Sequence, residues 1–464
     1  MDLRHSYKDE NILPDRKLDV LFIAAPSFYR DASIQHYIKE KESNITSRSG
    51  ALLMGDQDHE PSHGIFCLKS SCDQAGLSTF AIDMNLLYFL KTINEDFSPN
   101  QFLENCIKAG QPDFIALTSM RSNYQEAVKI FSLIKELNHE IPVIFGGSAA
   151  VDTTLPFSEK FDYIIRDQLH MTVVAKIFSI VNSSNGKNNI LSELTKDTFP
   201  TYINIPKEID LIPRLFQATG CPTGCDFCFP AASKNFKVFM HKNETIETNI
   251  NKLHKEYDFS YFLIGDLTYF INSKPSKLLN EYIAANNFKP WWCQTQAKML
   301  NETSIKRLKS ANCRQIAFAV EDLETSNSSI RLKNKSFRET ERILTDLRSA
   351  QIDSQMYWIF GLPDDTHASC MKKIEDISYF VSSGLVSSMH LSYLMPYPGT
   401  SYGDQPEQYG IRMINTLDHH FAGVKTDFYD VLPIYETKHL KCHEIFHYFN
   451  EARRICSRKL SEPA

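Results

Sequence analysis

The feature that most limits how this chain can fold is an alternation, repeated in two series, of short apolar runs with stretches of helix length. In the first series Asp19 to Pro26 reads as a buried strand, followed by Ser78 to Asn85, Asp113 to Met120, Pro142 to Ala150 and Asp162 to Gln168. Such short apolar runs suit a parallel sheet, whose two faces are covered by the helices that return the chain. Between Ser122 and Leu137, the residues Ala127, Val128, Ile130, Phe131, Leu133 and Ile134 crowd one side of a helical wheel, as a crossover helix requires. The series predicts a doubly wound α/β domain.

The second series places strands at Arg214 to Thr219, Tyr261 to Gly265, Trp291 to Gln296, Gln315 to Val320, Ser354 to Phe360 and Ser388 to Leu394. Six strands with helical stretches between them predict an incomplete (β/α)6 barrel. The segment Asn182 to Lys196, rich in Asn, Ser and Lys, marks the boundary between the two series. After Thr400 the alternation weakens, and Thr437 to Arg458 reads as one long amphipathic helix. The expected organisation is an α/β chain with a Rossmann-like domain over 1–190, a partial barrel over 205–400 and a small, mostly helical region over 401–464.

A chain of 464 residues with 42% hydrophobic and 23% charged residues can fill several cores, which excludes disorder throughout. Its 50 basic and 56 acidic residues leave a net charge of −6, which gives no reason to expect a nucleic-acid or anionic-membrane partner. The first residues, MDLRHSYKDENILPDRK, are too charged for a secretory signal, and no stretch approaches the ~18 apolar residues of a membrane span. A cytoplasmic location is expected. Eleven cysteines are too sparse for a disulfide scaffold.

Three of those cysteines fall within eight residues, in Gly220-Cys221-Pro222-Thr223-Gly224-Cys225-Asp226-Phe227-Cys228. The spacing Cys-x3-Cys-x2-Cys after a predicted strand lets three thiolates converge on one metal centre. Structural zinc takes four protein ligands, commonly from two cysteine pairs, and no second pair follows. An iron-sulfur cluster takes cysteine thiolates, and a cubane held by three keeps one iron open. A degenerate zinc knuckle, or no site at all, is the competing reading of the spacing.

The loop resembles the signature of the radical S-adenosylmethionine superfamily, with Phe227 at the aromatic position before the last cysteine. That resemblance implies a 4Fe-4S cluster on Cys221, Cys225 and Cys228 whose open iron binds S-adenosylmethionine, and an external electron donor such as flavodoxin or ferredoxin. Further along, Gly265-Asp266 stands where the family has a Gly-Gly-Glu-like stretch that binds the methionine amino group. Gln294-Thr295-Gln296 is similar to a Gln-Thr-Arg sequence of the cobalamin-dependent branch, with Gln296 in place of the arginine. Glu321 matches the end of a Gly-Ile-Glu-Ser strand, and its carboxylate is implied to approach the cofactor. Phe360-Gly361-Leu362-Pro363 resembles a Phe-Gly-Leu-Pro-Gly strand end near the adenine. Lys333-Asn334-Lys335 and Pro396-Tyr397-Pro398-Gly399-Thr400 resemble two further family elements, the first of which surface lysines explain equally well.

The first domain resembles the cobalamin-binding domain of that branch. Pro26 ends its first strand, His63-Gly64-Ile65-Phe66-Cys67-Leu68 is similar to the family's helix start, Gly146-Gly147 ends the fourth strand, and Phe161 to Asp167 resembles Val-Asp-Tyr-Val-Val-Arg-Gly. The resemblance implies a corrin on the carboxyl ends of the strands, with Gly146 and Gly147 beside its nucleotide tail and Ser119, Arg121 and Tyr124 below the ring. No Asp-x-His-x-x-Gly occurs within 1–190, and His59 lacks the spacing, so no histidine ligand to cobalt is expected from this domain. The alternative is a domain that keeps the fold without the vitamin.

The implied activity is radical chemistry with cobalamin, most often methylation of an unactivated carbon or a phosphinate of a small metabolite or natural-product intermediate. Two alternatives stand: a rearrangement, cyclisation or oxidation without methyl transfer, and a non-catalytic iron-sulfur protein. Tyr402, Tyr409, Phe421, Phe428, Tyr429 and Tyr435 are candidates to line a pocket or to fill a closing subdomain. His419, His420 and His443 are candidates for proton transfer or ordinary surface residues.

Overall fold

The computed structural model describes residues 13–26, 58–59, 62–93, 96–152, 155, 161–166, 170–185, 199–200, 202, 210–228, 238–323, 330, 334–417 and 432–460. They fall into two compact units that divide between Leu211 and Ile212.

The first unit is built on five parallel strands, β1 (Val20–Ala24), β2 (Thr79–Asp83), β3 (Phe114–Thr118), β4 (Val143–Gly146) and β5 (Tyr163–Ile164). Their order across the sheet is β2-β1-β3-β4-β5. The chain thus winds outward in both directions from β1, and the carboxyl ends of β1 and β3 form the topological switch point where open α/β sheets bind ligands. Helices α1 (His63–Gln74), α2 (Met84–Ile93), α3 (Pro99–Gly110), α4 (Tyr124–Leu137) and α5 (Ser148–Val151) lie in the crossovers, and α6 (His170–Asn185) follows the last strand. Leu21, Ile23, Ile115, Leu117 and Phe145 from the sheet share one core with Leu103, Ile107, Ala127, Ile130 and Ile134 from the helices. That is the apolar stripe read between Ser122 and Leu137, although the α-helix begins two residues later, after a 3-10 turn over Arg121–Asn123. The fourth predicted strand runs too far. Its Ser148, Ala149 and Ala150 belong to α5, because small residues carry no periodicity that separates a strand from a helix start.

The second unit holds six parallel strands, β6 (Arg214–Leu215), β7 (Phe262–Ile264), β8 (Trp291–Gln296), β9 (Cys313–Glu321), β10 (Asp353–Phe360) and β11 (Ser388–Tyr393). They lie in strictly sequential order, and β6 does not pair with β11, so the sheet is an open, partial barrel. Each connection carries a helix: α7 (Asn243–Glu256), α8 (Lys274–Asn286), α9 (Glu302–Ser310), α10 (Phe337–Ser349) and α11 (His367–Ser382). Ser273, Asn301, Ser336 and Thr366 cap α8 to α11 by accepting a backbone N–H of the first turn. Such caps fix where each strand-end loop stops. Leu215, Phe262 and Ile264 face Ile246 and Ile250 of α7 and Leu279 and Ile283 of α8. Register then puts Trp292, Gln294 and Gln296 of β8 on the opposite face, level with Gln315, Ala317 and Ala319 of β9.

The first predicted barrel strand is divided in two. Arg214–Leu215 joins the sheet, whereas Ala218–Thr219 pairs antiparallel with Phe239–Met240. The C-terminal region contains α12 (Ser401–Asp404), an antiparallel pair of β12 (Ile411–Met413) and β13 (Tyr435–Thr437), and α13 (Cys442–Leu460). Thr437, expected to open the last helix, closes β13 instead, and α13 starts five residues later.

Candidate active site and cofactor sites

In the second unit the cysteine loop leaves the sheet just beyond β6. Gly220 and Gly224 take φ values of 88° and 62°, the left-handed region in which glycine is at ease, and they fold the loop back on itself. Cys225 is buried, Cys221 and Cys228 are half-buried, and none of the three is in a disulfide. The Cys228 N–H donates to the Cys225 carbonyl at 3.0 Å, closing the final turn with Phe227 inside it. Among the described residues no three His, Cys, Asp or Glu side chains converge as one metal ion requires. The cysteines of a cubane each ligate a different iron, so such a cluster takes a wider spacing of its sulfurs.

Asp266, just past β7, is fully buried. Its Oδ1 accepts the backbone N–H groups of Gln217 (2.8 Å) and Ala218 (3.0 Å), which fixes the chain entering the cysteine loop. Burial, only partly offset by those two bonds, pushes its carboxyl up to about 7. Its Oδ2 meets no partner among the described residues, nor does Oε1 of Gln296 at the end of β8. Two buried acceptors at adjacent strand ends beside three thiols suit a ligand that brings its own N–H or O–H donors. Gln294, half-buried on the same face as Gln296, donates to the Leu267 carbonyl at 3.3 Å. Gly265 is glycine for an internal reason, since a Cβ there would stand 2.5 Å from Cδ of Arg214. Burial lowers the Arg214 guanidinium to about 10.

Glu321 ends β9 at φ 52°, beyond an irregularity in the β9–β10 register. A non-glycine residue is strained in that region, and its neighbours supply the restraint. Asn334 donates to the carbonyls of Val320 and Asp322. Lys373 of α11, buried, meets Asp322 at 3.0 Å and Asp365 at 2.6 Å and donates to the Ile359 carbonyl at 3.0 Å. Although burial alone acts in the opposite sense, the two carboxylates raise the Lys373 ammonium above its ordinary range and keep it charged. The lysine thereby ties the end of β9 to the turn after β10. Sequence reading passed over Lys373 and gave Asn334 no such duty, because both act on residues distant in the chain.

Phe360 is wholly buried beneath the Lys373 ammonium, and Gly361, at φ 73°, lies under Tyr435. The Tyr435 hydroxyl donates to the Gly361 carbonyl at 3.0 Å, and a Cβ on Gly361 would stand 2.3 Å from that oxygen. Tyr435 is therefore a core residue, not part of a pocket wall. Tyr402 is also buried, against Tyr409, and its N–H reaches the Asp226 carbonyl of the cysteine loop at 3.3 Å. His443 is exposed on the first turn of α13. Lys333, Asp167, Gln168, His419, His420, Phe421, Phe428 and Tyr429 lie outside the described residues.

In the first unit, Pro26, Ser119 and Arg121 follow the carboxyl ends of β1 and β3. Asn123, which sequence reading missed, braces this switch point by donating to the Ala25 carbonyl (2.9 Å) and accepting the Met120 N–H (2.7 Å). The Ser119 hydroxyl is buried and meets no partner among the described residues. Gly146 faces open space, as an approaching ligand requires, whereas a Cβ on Gly147 would stand 2.2 Å from Thr118 Oγ1. Arg121 is paired with Asp152 at 2.5 Å. Tyr124 does not point to the switch point with the others. Its ring packs edge-on against Phe145 and Phe161 in the core.

Residues 217–377 match the Radical SAM superfamily. An uncharacterised methyltransferase of Pyrococcus horikoshii is 20% identical over 321 residues, 63% of this chain and 69% of that protein. The bacteriochlorophyllide d C-12(1)-methyltransferase of Chlorobaculum tepidum is 22% identical over 310 residues, 63% of this chain and 65% of that protein. Among solved structures, the radical S-adenosylmethionine methyltransferase TsrM of Kitasatospora setae, with cobalamin and a [4Fe-4S] cluster bound, superposes with a TM-score of 0.62 at 13% identity. That match covers 86% of this chain and 78% of TsrM. The cobalamin-dependent S-adenosylmethionine radical enzyme OxsB, with aqua-cobalamin and S-adenosylmethionine bound, superposes with a TM-score of 0.55 at 14% identity, over 85% of this chain and 56% of OxsB. Residues 217–377, in the second unit, are thus similar to the radical S-adenosylmethionine family, and the chain shares its fold with TsrM and OxsB.

Proposed function

We propose that this chain is a cobalamin-dependent radical S-adenosylmethionine methyltransferase acting on a carbon, or a phosphinate centre, of a small metabolite or natural-product intermediate. The observation that carries the reading is the cysteine loop itself: three thiols on a glycine-hinged turn beyond β6, next to two buried acceptor atoms that meet no partner among the described residues. In this reading Cys221, Cys225 and Cys228 hold the cluster, with Phe227 packed between the second and third. Asp266, Gln294 and Glu321 orient S-adenosylmethionine, with Gly265, Phe360 and Gly361 shaping the strand ends around it. Ser119 and Gly146 meet cobalamin in the first unit, while Pro26, Arg121, Gly147 and the buried Tyr124 set the loops there.

A reduced cluster supplies the electron that cleaves S-adenosylmethionine, and cobalamin supplies a methyl carrier. This chain's contribution is to bind, orient and shield those groups. The electron comes from a separate donor protein such as flavodoxin or ferredoxin. Methyl transfer is favoured because both of the relatives described above are named as methyltransferases.

Protein produced with a cobalamin supply and purified without oxygen is expected to carry about four irons, as a cubane requires, and one equivalent of cobalt. Turnover is expected to convert S-adenosylmethionine into stoichiometric S-adenosylhomocysteine. Iron without cobalt after reconstitution would remove the cobalamin half of the reading, and absence of both metals would remove all of it.

A further inference from the structure

Three side chains from three parts of the second unit meet at one of the candidate ligands. Thr223 lies within the cysteine loop, Thr268 follows β7, and Gln296 ends β8. The Thr223 and Thr268 hydroxyl oxygens stand 3.4 Å and 3.6 Å from Cys221 Sγ. Gln296 Nε2 donates to both of them, at 2.6 Å to Thr223 and at a longer 3.5 Å to Thr268. Thr268 and Gln296 are buried at 3% and 5% exposure, so the bond between them is shielded from bulk water, while Cys221 and Thr223 are half-buried.

The polarity of this network follows from donor chemistry. An amide nitrogen only donates, so at each threonine oxygen Gln296 occupies a lone pair and leaves the hydroxyl proton to be directed elsewhere. While Cys221 is a thiol it donates to Thr223, and at the Thr268 contact either the sulfur or the oxygen can donate. A cysteine that ligates metal has lost that proton and can only accept. Both hydroxyl protons then turn to the sulfur, and the order becomes Gln296 N–H to threonine O–H to thiolate. Hydrogen bonds to a ligating sulfur draw charge from the cluster and stabilise its more negative, reduced state, which raises its potential.

We infer that Thr223, Thr268 and Gln296 are positioning residues that raise the reduction potential of the cluster by holding two O–H donors on Cys221. The inference rests on the reading of the loop as a cluster site. It also gives Gln296 a purpose where the resembling family sequences carry arginine: the amide polarises both hydroxyls without adding a charge beside the cluster.

The experiment is an EPR-monitored redox titration of the anaerobically reconstituted full chain, without S-adenosylmethionine, alongside iron and sulfide analysis. Thr223→Val, Thr268→Val and Gln296→Leu are each expected to lower the midpoint potential, and Thr223→Val with Thr268→Val to lower it furthest, at unchanged iron content. Thr223→Ser and Thr268→Ser keep the hydroxyl and are expected to keep the wild-type potential, which a general loss of packing would not predict. If the double variant fails to hold a cluster, Thr223→Val on the half-buried loop decides. Cluster-bearing valine variants with the wild-type potential would overturn this inference and leave the proposed function standing. A wild-type chain that takes up no iron would overturn both.

Discussion

Cys225 is the buried member of the cysteine triad, and replacing it removes a thiol that water cannot substitute. Cys225→Ala is expected to lose most of its iron and all cleavage of S-adenosylmethionine, checked by metal analysis and by release of 5′-deoxyadenosine. Asp266 permits a different test, of the folded chain without cofactors. Its carboxyl titrates near 7 in the folded protein and near ~3.9 when unfolded. Between those values the folded state binds a proton that the unfolded state has released. Its stabilising contribution is therefore complete below pH ~4 and declines as pH rises toward 7. Urea unfolding of Asp266→Asn at pH 5 and pH 8 is expected to show a smaller fall in stability across that range than the parent does; equal falls would contradict the raised titration.

The cysteine loop could be found in the sequence because its ligands are neighbours in the chain and their spacing carries the chemistry. Other residues could not be assigned that way. Gln296 stood out only as a departure from arginine, and Asn123 and Lys373 not at all, since each works by reaching a hydroxyl, a backbone carbonyl or a carboxylate far away in sequence. Glycines were visible as glycines, but their reasons were not. Gly147, Gly265 and Gly361 each leave room for a neighbour within the protein, whereas Gly146 opens onto space.

Among the elements, the ends of β9 and β10 depend on a single buried cation. Removing Lys373 leaves Asp322 and Asp365 buried without it, and breaking such a set typically costs about 3–5 kcal/mol. Lys373→Met is expected to lose stability of that order in denaturant unfolding, with Lys373→Arg restoring part of it. A loss below about 1 kcal/mol, the scale of surface pairs, would show that the strand ends hold without the cation. The strands themselves were legible from apolar runs of the right length, because burial on both faces of a parallel sheet leaves little ambiguity. Boundaries were less so. The break after Leu215 arises because Ala218–Thr219 finds a closer partner in Phe239–Met240, a pairing that no local pattern announces.

Over the whole molecule, the two alternating series gave two α/β units of different kinds, one wound both ways from its first strand and one laid down strictly in sequence. The distinction was readable because the second series carries its own signature loop. No helix among the described residues is long and apolar enough to cross a membrane. The seat of Tyr435 on Gly361 bears on how such a chain is made. Tyr435 and α13, which packs on α11 and β11, are translated after every strand of the barrel they close. Domains tend to fold from the N-terminus as they emerge during synthesis, so on the ribosome this sheet stays unfinished along β10 and β11 until that late segment appears. Iron delivery to the nascent chain would meet a half-built cradle, and a stop codon placed just before Tyr435 should yield a protein whose barrel is readily proteolysed near Gly361.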